Sequence, residues 1–214
     1  MAGSPVSERI SVRARFERFP ATVKGAFIVR GEDPDPHQVV FREARVVSVG
    51  GRDAHEIPMG STTLDVAPRR DVFVPFEMGV TDLDPGWYEL ECDLDVDGRP
   101  ATFPGGKRFC VSWPRAAARR GSVELGSVLG APASKVTIER VELAGDRATI
   151  TIAADPPADP SLRLMVDGSR LPVVETVVDA DSGTGTVTAY PVLRTHGSLR
   201  IDLAGGDGVD VPLP

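Results

Sequence analysis

Apolar and polar residues alternate with a period of two through most of this chain, between turns rich in Gly, Pro and Asp. The clearest run has Ile10, Val12, Ala14 and Phe16 in alternation with polar or charged residues. Because successive side chains of a strand point to opposite faces, this pattern predicts strands with one buried face. Few windows keep a helical period for three turns. The sequence therefore predicts an all-β protein.

The alternation breaks once, in an Arg-rich stretch of small residues from 115 to 134. The chain has 214 residues, of which 41% are hydrophobic, enough to bury a core in each of two domains. About seven strands are expected after residue 134, the size of a compact sandwich. We therefore predict two β-sandwich domains in tandem, 1–114 and 135–214, with 115–134 as a connector.

A turn of Asp, Pro and Gly brings a tyrosine, Tyr88, into the start of a long predicted strand. This arrangement resembles the tyrosine corner of immunoglobulin-like sandwiches, in which the phenol hydroxyl bonds to a nearby backbone group. Leu90 stands where antibody domains have a cysteine. The resemblance therefore covers the sandwich architecture, not the antibody family. It implies that the two domains are immunoglobulin/fibronectin-III-like.

The opening of a calcium loop is matched by Asp93, Asp95 and Asp97, followed by Gly98. The position of the bidentate Glu that closes such a loop holds Pro104. On a strand, this spacing places the three carboxylates on one solvent-exposed face, which is the interpretation we favour. The histidines lack the short spacings of metal sites, and there is no P-loop. We predict no metal and no cofactor.

The two cysteines, Cys92 and Cys110, would lie opposite each other if a hairpin turned about Ala101. Such a pair can fall within disulfide range, but a reducing cytoplasm favours two packed thiols. Neither cysteine has His or Asn beside it, as a catalytic thiol would need. There is also no G-x-S-x-G or H-E-x-x-H motif. We therefore predict that the chain is not an enzyme.

Three segments are candidate contact surfaces: the arginine-bearing first strand, a rigid acidic loop rich in proline, and a hairpin tip at 101–107. Arginines on one strand face can hold phosphate or carboxylate groups, but Glu17 on the same face favours a solvated, ion-paired face instead. The acidic loop offers carboxylates and an imidazole. We nevertheless interpret each histidine of the sequence as an exposed loop residue. The candidate contact residues are Arg9, Arg13, Arg15, Asp33, Asp35 and His37.

The net charge of -7 and a pI near 5.0 argue against nucleic acid as a partner, because the summed field repels polyanions. No apolar run approaches the roughly 20 residues that cross a bilayer. Charged residues interrupt the first eighteen positions, where a signal peptide needs an apolar segment. We expect a cytoplasmic protein without a membrane span.

We therefore predict a non-catalytic interaction or accessory module that acts through protein–protein contacts or self-association. In architecture, tandem sandwiches of this size also resemble accessory regions attached to bacterial surface-polymer glycosyltransferases. That resemblance implies a carbohydrate-polymer binding module as the alternative. A hydrolase that uses the carboxylates of Glu89, Glu91, Asp93 and Asp95 is least favoured, since no partner acid in a cleft is identifiable.

Overall fold

The computed structural model describes residues 9–50 and 53–214. The predicted all-β fold is confirmed: these residues form several antiparallel sheets, consistent with a β-sandwich architecture. They divide into two compact units, the first ending at Val111 and the second beginning at Ser112. Within these two ranges, no helix has the length and hydropathy needed to cross a membrane.

The first unit has two sheets that contribute side chains to one hydrophobic core. Its strands are β1 Ile10–Arg18, β2 Thr22–Gly31, β3 His37–Ser48, β4 Ala54–Glu56, β5 Thr62–Val66, β6 Asp71–Gly79, β7 Gly86–Val96 and β8 Arg99–Val111. One sheet has the order β1-β2-β6, and the other has the order β4-β3-β7-β8, with β5 also paired to β3. Phenylalanine rings from both sheets meet in this core.

The second unit also has two sheets around one core. Its strands are β9 Gly121–Ala131, β10 Ser134–Leu143, β11 Ala148–Asp155, β12 Leu162–Val166, β13 Ser169–Leu171, β14 Val173–Val178, β15 Thr184–Ala189, β16 Leu199–Leu203 and β17 Gly208–Val211. The sheet orders are β14-β15-β11-β10-β9 and β13-β12-β16-β17. Its buried residues are almost all Val, Leu, Ile and Ala, because the aromatic residues of the sequence cluster in the first unit.

The stretch 115–134, expected to be a connector, contains strand β9, which pairs along its length with β10. Leu129 of this strand is buried in the core of the second unit. The alternation is hard to read from the sequence here, because Val128 is 62% exposed. Gly126, with φ at 64°, also accompanies a shift in register against β10. Residues 121–131 are thus part of a sheet.

The predicted hairpin tip at 101–107 is wrong, since these residues lie inside β8. The chain turns at Asp97 and Gly98, whose φ angles are 51° and 78°. Two successive left-handed residues form the two-residue loop that suits the twist of a hairpin. Gly106, at φ 69°, instead belongs to a bulge where the register between β7 and β8 shifts.

The cysteines therefore do not face each other. Cys92 lies opposite Phe103, and Cys110 lies opposite Trp87. Both are free thiols. Burial raises the pKa of the Cys92 thiol to about 12, so this residue packs in the core as a neutral group.

The hydrogen bond expected of a tyrosine corner is present at Tyr88. Its hydroxyl donates to the carbonyl oxygen of Asp84, four residues upstream, at 2.9 Å. The ring is 3% exposed and stacks on Phe109, with 5.7 Å between the ring centroids. The bond fixes the turn that leads into β7.

We expect Tyr88→Phe to lower the free energy of unfolding of the first unit by about 1 kcal/mol, the usual net contribution of one hydrogen bond. The substitution keeps the ring and removes only the donor. Urea unfolding of the full chain, followed by hydrogen exchange in β7, measures the change. Tyr190→Phe, in the second unit, is the matched control and should leave exchange in β7 unchanged. Equal exchange in wild type and Tyr88→Phe would contradict the assignment.

Candidate contact surface

The six predicted contact residues do not form one surface. Arg9 and His37 contact Asp97, and His37 also contacts Asp33, in a group that we call the histidine cluster. Asp35 lies on the adjoining loop, where its backbone N–H donates to Asp33 Oδ1 at 3.2 Å. The other two residues, both arginines of β1, lie on the outer face of the β1-β2-β6 sheet, which we call the arginine face.

The histidine cluster is built around a buried imidazole. The side chain of His37, at the start of β3, is 4% exposed. Its Nδ1 lies 2.8 Å from Asp97 Oδ2, and its Nε2 lies 2.6 Å from Asp33 Oδ1. An ionised carboxylate only accepts hydrogen bonds, so both ring nitrogens donate when both contacts are made. The geometry therefore favours the protonated imidazolium.

Opposing effects set the pKa values in this cluster. Burial alone would lower the pKa of His37, but hydrogen bonds to Asp97 and Asp33, together with their charges, outweigh it and raise the pKa. For Asp97, burial acts upward, whereas hydrogen bonds from His37 and the Gln38 backbone N–H and the charges of His37 and Arg9 hold the pKa below its ordinary value. The positive charges of Arg9 and protonated His37 thus balance the negative charges of Asp33 and Asp97.

The cluster is a structural clamp. It joins the loop before β3, the β7–β8 turn and the residue that precedes β1. Both nitrogens of His37 are already bonded, so neither is left to exchange a proton with a substrate. His37 is therefore buried, where the sequence predicted an exposed loop histidine. No local pattern indicated this contact, because Asp97 lies 60 positions away from His37.

The aspartate row of β7 is ion-paired, not simply solvated as predicted. Asp93 lies 2.6 Å from Arg45 Nη1 and accepts a hydrogen bond from Thr102 at 2.6 Å. Asp95 pairs with Arg42. The hydrogen bond from Arg42 lowers the pKa of Asp95. Among the described residues, no group of three or more His, Cys, Asp or Glu is arranged to hold a metal ion.

On the arginine face, cross-strand register aligns Arg13, Ile28 and Phe73 in one row. Phe73 is 59% exposed, whereas Ile28 beside it is 1% exposed. Ion pairs border this row: Asp71 lies 3.2 Å from Arg13 Nη2 and 3.3 Å from Arg30 Nη1. An exposed aromatic ring beside an aliphatic side chain, with a charged border, is typical of contact surfaces.

The next row of the arginine face carries Arg15, Ala26 and Pro75. Arg15 is exposed and makes no ion pair within residues 9–50 and 53–214. Its neighbours across the sheet, Ala26 and Pro75, carry no charge. Beyond them, Lys24 and Glu77 form an ion pair of 2.8 Å. Arg15 therefore offers a cation for an external acidic group.

Sequence reasoning found the arginines of this face and missed Phe73. The segment around it, from Val72 to Phe76, is apolar on both strand faces, so alternation does not reveal which residues point outward. Ile28 lies between Phe27 and Val29, so alternation does not reveal which way its side chain points either. The signal that could have found Phe73 is the exposed Glu77 four residues later, which has the same parity along β6.

No protein-family model and no curated protein matches this sequence. In the histidine cluster, the hydrogen-bonding and charged groups are paired with one another. The arginine face, in contrast, leaves an aromatic ring and a guanidinium available to another molecule.

Proposed function

We propose that this chain is a non-catalytic interaction or accessory module that acts through protein–protein contacts or self-association. The observation that carries the proposal is Phe73, 59% exposed on the arginine face beside Ile28. Aromatic and arginine side chains are enriched at the centres of protein interfaces. This face offers both types within two adjacent rows of one sheet.

The proposed contact would use each part of the arginine face differently. Phe73 would be the buried anchor: full burial of an exposed phenylalanine contributes about 1.5–3 kcal/mol, and 59% of this side chain is exposed before binding. Arg15 would bind a carboxylate of the partner through its planar guanidinium. The ion pairs of Asp71 with Arg13 and Arg30 would form a polar rim.

We also infer that both units are immunoglobulin-like sandwiches, joined in tandem. The bond from Tyr88 to the Asp84 carbonyl supports this for the first unit. Each unit has two sheets around one core, which supports the sandwich layout for both. In such folds, sheet faces and edges are natural contact sites.

We expect Phe73→Asp to weaken protein binding at least tenfold. The change removes the ring and places a second carboxylate beside Asp71, while an exposed position costs less than about 0.5 kcal/mol of stability. Immobilised full chain is challenged with the same chain and with a cell protein extract. Phe19→Asp is the matched control, because Phe19 is 42% exposed and lies outside the arginine face. Retention equal to wild type in both arms would contradict the proposal.

The second candidate function is binding of a carbohydrate polymer that carries acidic groups. A groove of about 390 Å³ supports it, beside β1 in the first unit. The ammonium of Lys107 lies 4.7 Å from the centre of the Phe16 ring there. Acidic oligosaccharides that bind Phe73→Asp normally but not Arg15→Glu would favour this function. The groove residues are Arg15, Phe16, Glu17, Lys24, Gly25 and Lys107.

A further inference from the structure

Strand β14 lies at one edge of the five-stranded sheet in the second unit and pairs only with β15 in the described parts of the chain. Four of its six residues are valine, and Val177 is 54% exposed. Glu175 is its one charged residue, and it contains no proline. An open edge with high β-propensity and little charge is a template for another strand.

Three other edge strands of the protein are interrupted. β6 contains Pro75, which has no N–H to donate, and β8 contains Pro104. β9 has the bulge at Gly126, and its Gly130 carbonyl accepts a hydrogen bond from the Asp207 backbone N–H at 3.0 Å. β14 has its own bulge at Val174, and the four residues 175–178 beyond it pair with β15 without a break.

The backbone groups at the open edge follow from one hydrogen bond. Directly after β14, the N–H of Asp179 donates to the Thr184 carbonyl at 2.9 Å, toward β15. In an antiparallel pair, successive residues alternate between directing N–H and C=O toward the partner strand and away from it. The N–H and C=O of Val177 therefore point toward β15, whereas those of Thr176 and Val178 point to the open edge.

We propose that two copies of this chain associate by antiparallel pairing of β14 with β14, about a two-fold axis at Thr176. Thr176 then exchanges two backbone hydrogen bonds with its counterpart. Glu175 lies opposite Val177 of the second copy. This inference rests on the proposed function and deepens it, because it names the partner and the strand used for self-association.

Charge selects this register over its neighbours. In a continuous sheet, directly opposite residues lie on the same face. One residue must therefore lie opposite the same residue of the second copy, and the two-fold axis passes between them. An axis at Glu175 would place the two Glu175 carboxylates opposite each other. An axis at Val177 would place Glu175 opposite Asp179 twice. Like charges directly opposite destabilise a strand pair, and the axis at Thr176 avoids them.

Substitutions of Val177 with opposite charges test the pairing. In the proposed dimer, Val177→Glu places a carboxylate opposite Glu175 twice, and we expect at least tenfold weaker association. Val177→Lys places a cation there, and association should equal or exceed that of wild type. Sedimentation equilibrium of the full chain measures the dimer fraction. Val128→Glu is the matched control, since Val128 is 62% exposed on the edge strand β9.

A second variant guards against an indirect effect of Val177→Glu. Adding Glu175→Lys to it restores opposite charges across the axis, and dimerisation should return. A wild-type monomer at the highest soluble concentration would overturn the inference, as would equal effects of Glu and Lys at position 177. If the Val177 variants assemble normally while Phe73→Asp loses binding, the β14 pairing fails and the proposed function stands. Absence of any association and of any captured protein would overturn both.

Discussion

Replacing Phe27 with alanine is expected to lower the free energy of unfolding of the first unit by about 3–5 kcal/mol. Phe27 is fully buried on β2, the central strand of the three-stranded sheet. Its ring lies 5.3 Å from that of Phe41 and 5.1 Å from that of Phe76, between ring centroids. Phe41 belongs to the other sheet, so alanine would leave a cavity between the two layers.

The measurement is urea unfolding of the full chain, with hydrogen exchange to follow each unit separately. Phe73→Ala is the matched control: it removes the same side chain from the same sheet, but at a position that is 59% exposed. We expect it to change stability by less than about 0.5 kcal/mol. Phe27→Leu serves if the alanine variant does not fold, because a smaller cavity costs less. Equal losses for Phe27→Ala and Phe73→Ala would contradict the assigned core.

The contrast between these two phenylalanines also marks the limit of sequence reasoning. Strand β7 was predictable because burial alternates along Gly86–Val96, with carboxylates on the partly exposed face. Strands that are apolar on both faces do not carry this information. Whether Phe27 or Ile28 points inward depends on which sheet covers which face, and that is set by packing between distant segments.

Long-range pairing explains the other errors. The hairpin tip was predicted at 101–107, a segment that contains Pro104 and Gly106. The structure places them in a strand, with Gly106 in a bulge. Local composition is similar for a turn and a bulge, because both favour residues with positive φ. The turn at Asp97 also brings this residue next to His37, a contact that no rule on sequence spacing could have suggested.

Replacing His37 with leucine is expected to lower the free energy of unfolding of the first unit by about 2–3 kcal/mol near pH 6, as two charge-assisted hydrogen bonds are lost. Leucine would leave Asp33 and Asp97 facing an apolar side chain, with Arg9 and the Gln38 backbone N–H still in contact with Asp97. His55→Leu is the control, because His55 is an exposed histidine of the same unit. Urea unfolding with hydrogen exchange in β3 measures both variants.

The pH dependence provides the sharper test of the clamp. The folded pKa of His37 lies above the ordinary value of 6.5, so its stabilisation is complete below that value and is lost as pH rises through the folded pKa. Asp97, whose folded pKa is lowered from 3.8, acts at the other end, and its contribution is lost as pH falls through that lowered pKa. Wild type should therefore lose stability as pH rises above about 6.5, over the range in which folded His37 loses its proton. His55→Leu should keep this slope and His37→Leu should lack most of it, because the protonated imidazole holds the two carboxylates together. An unchanged slope in His37→Leu would contradict the protonated clamp.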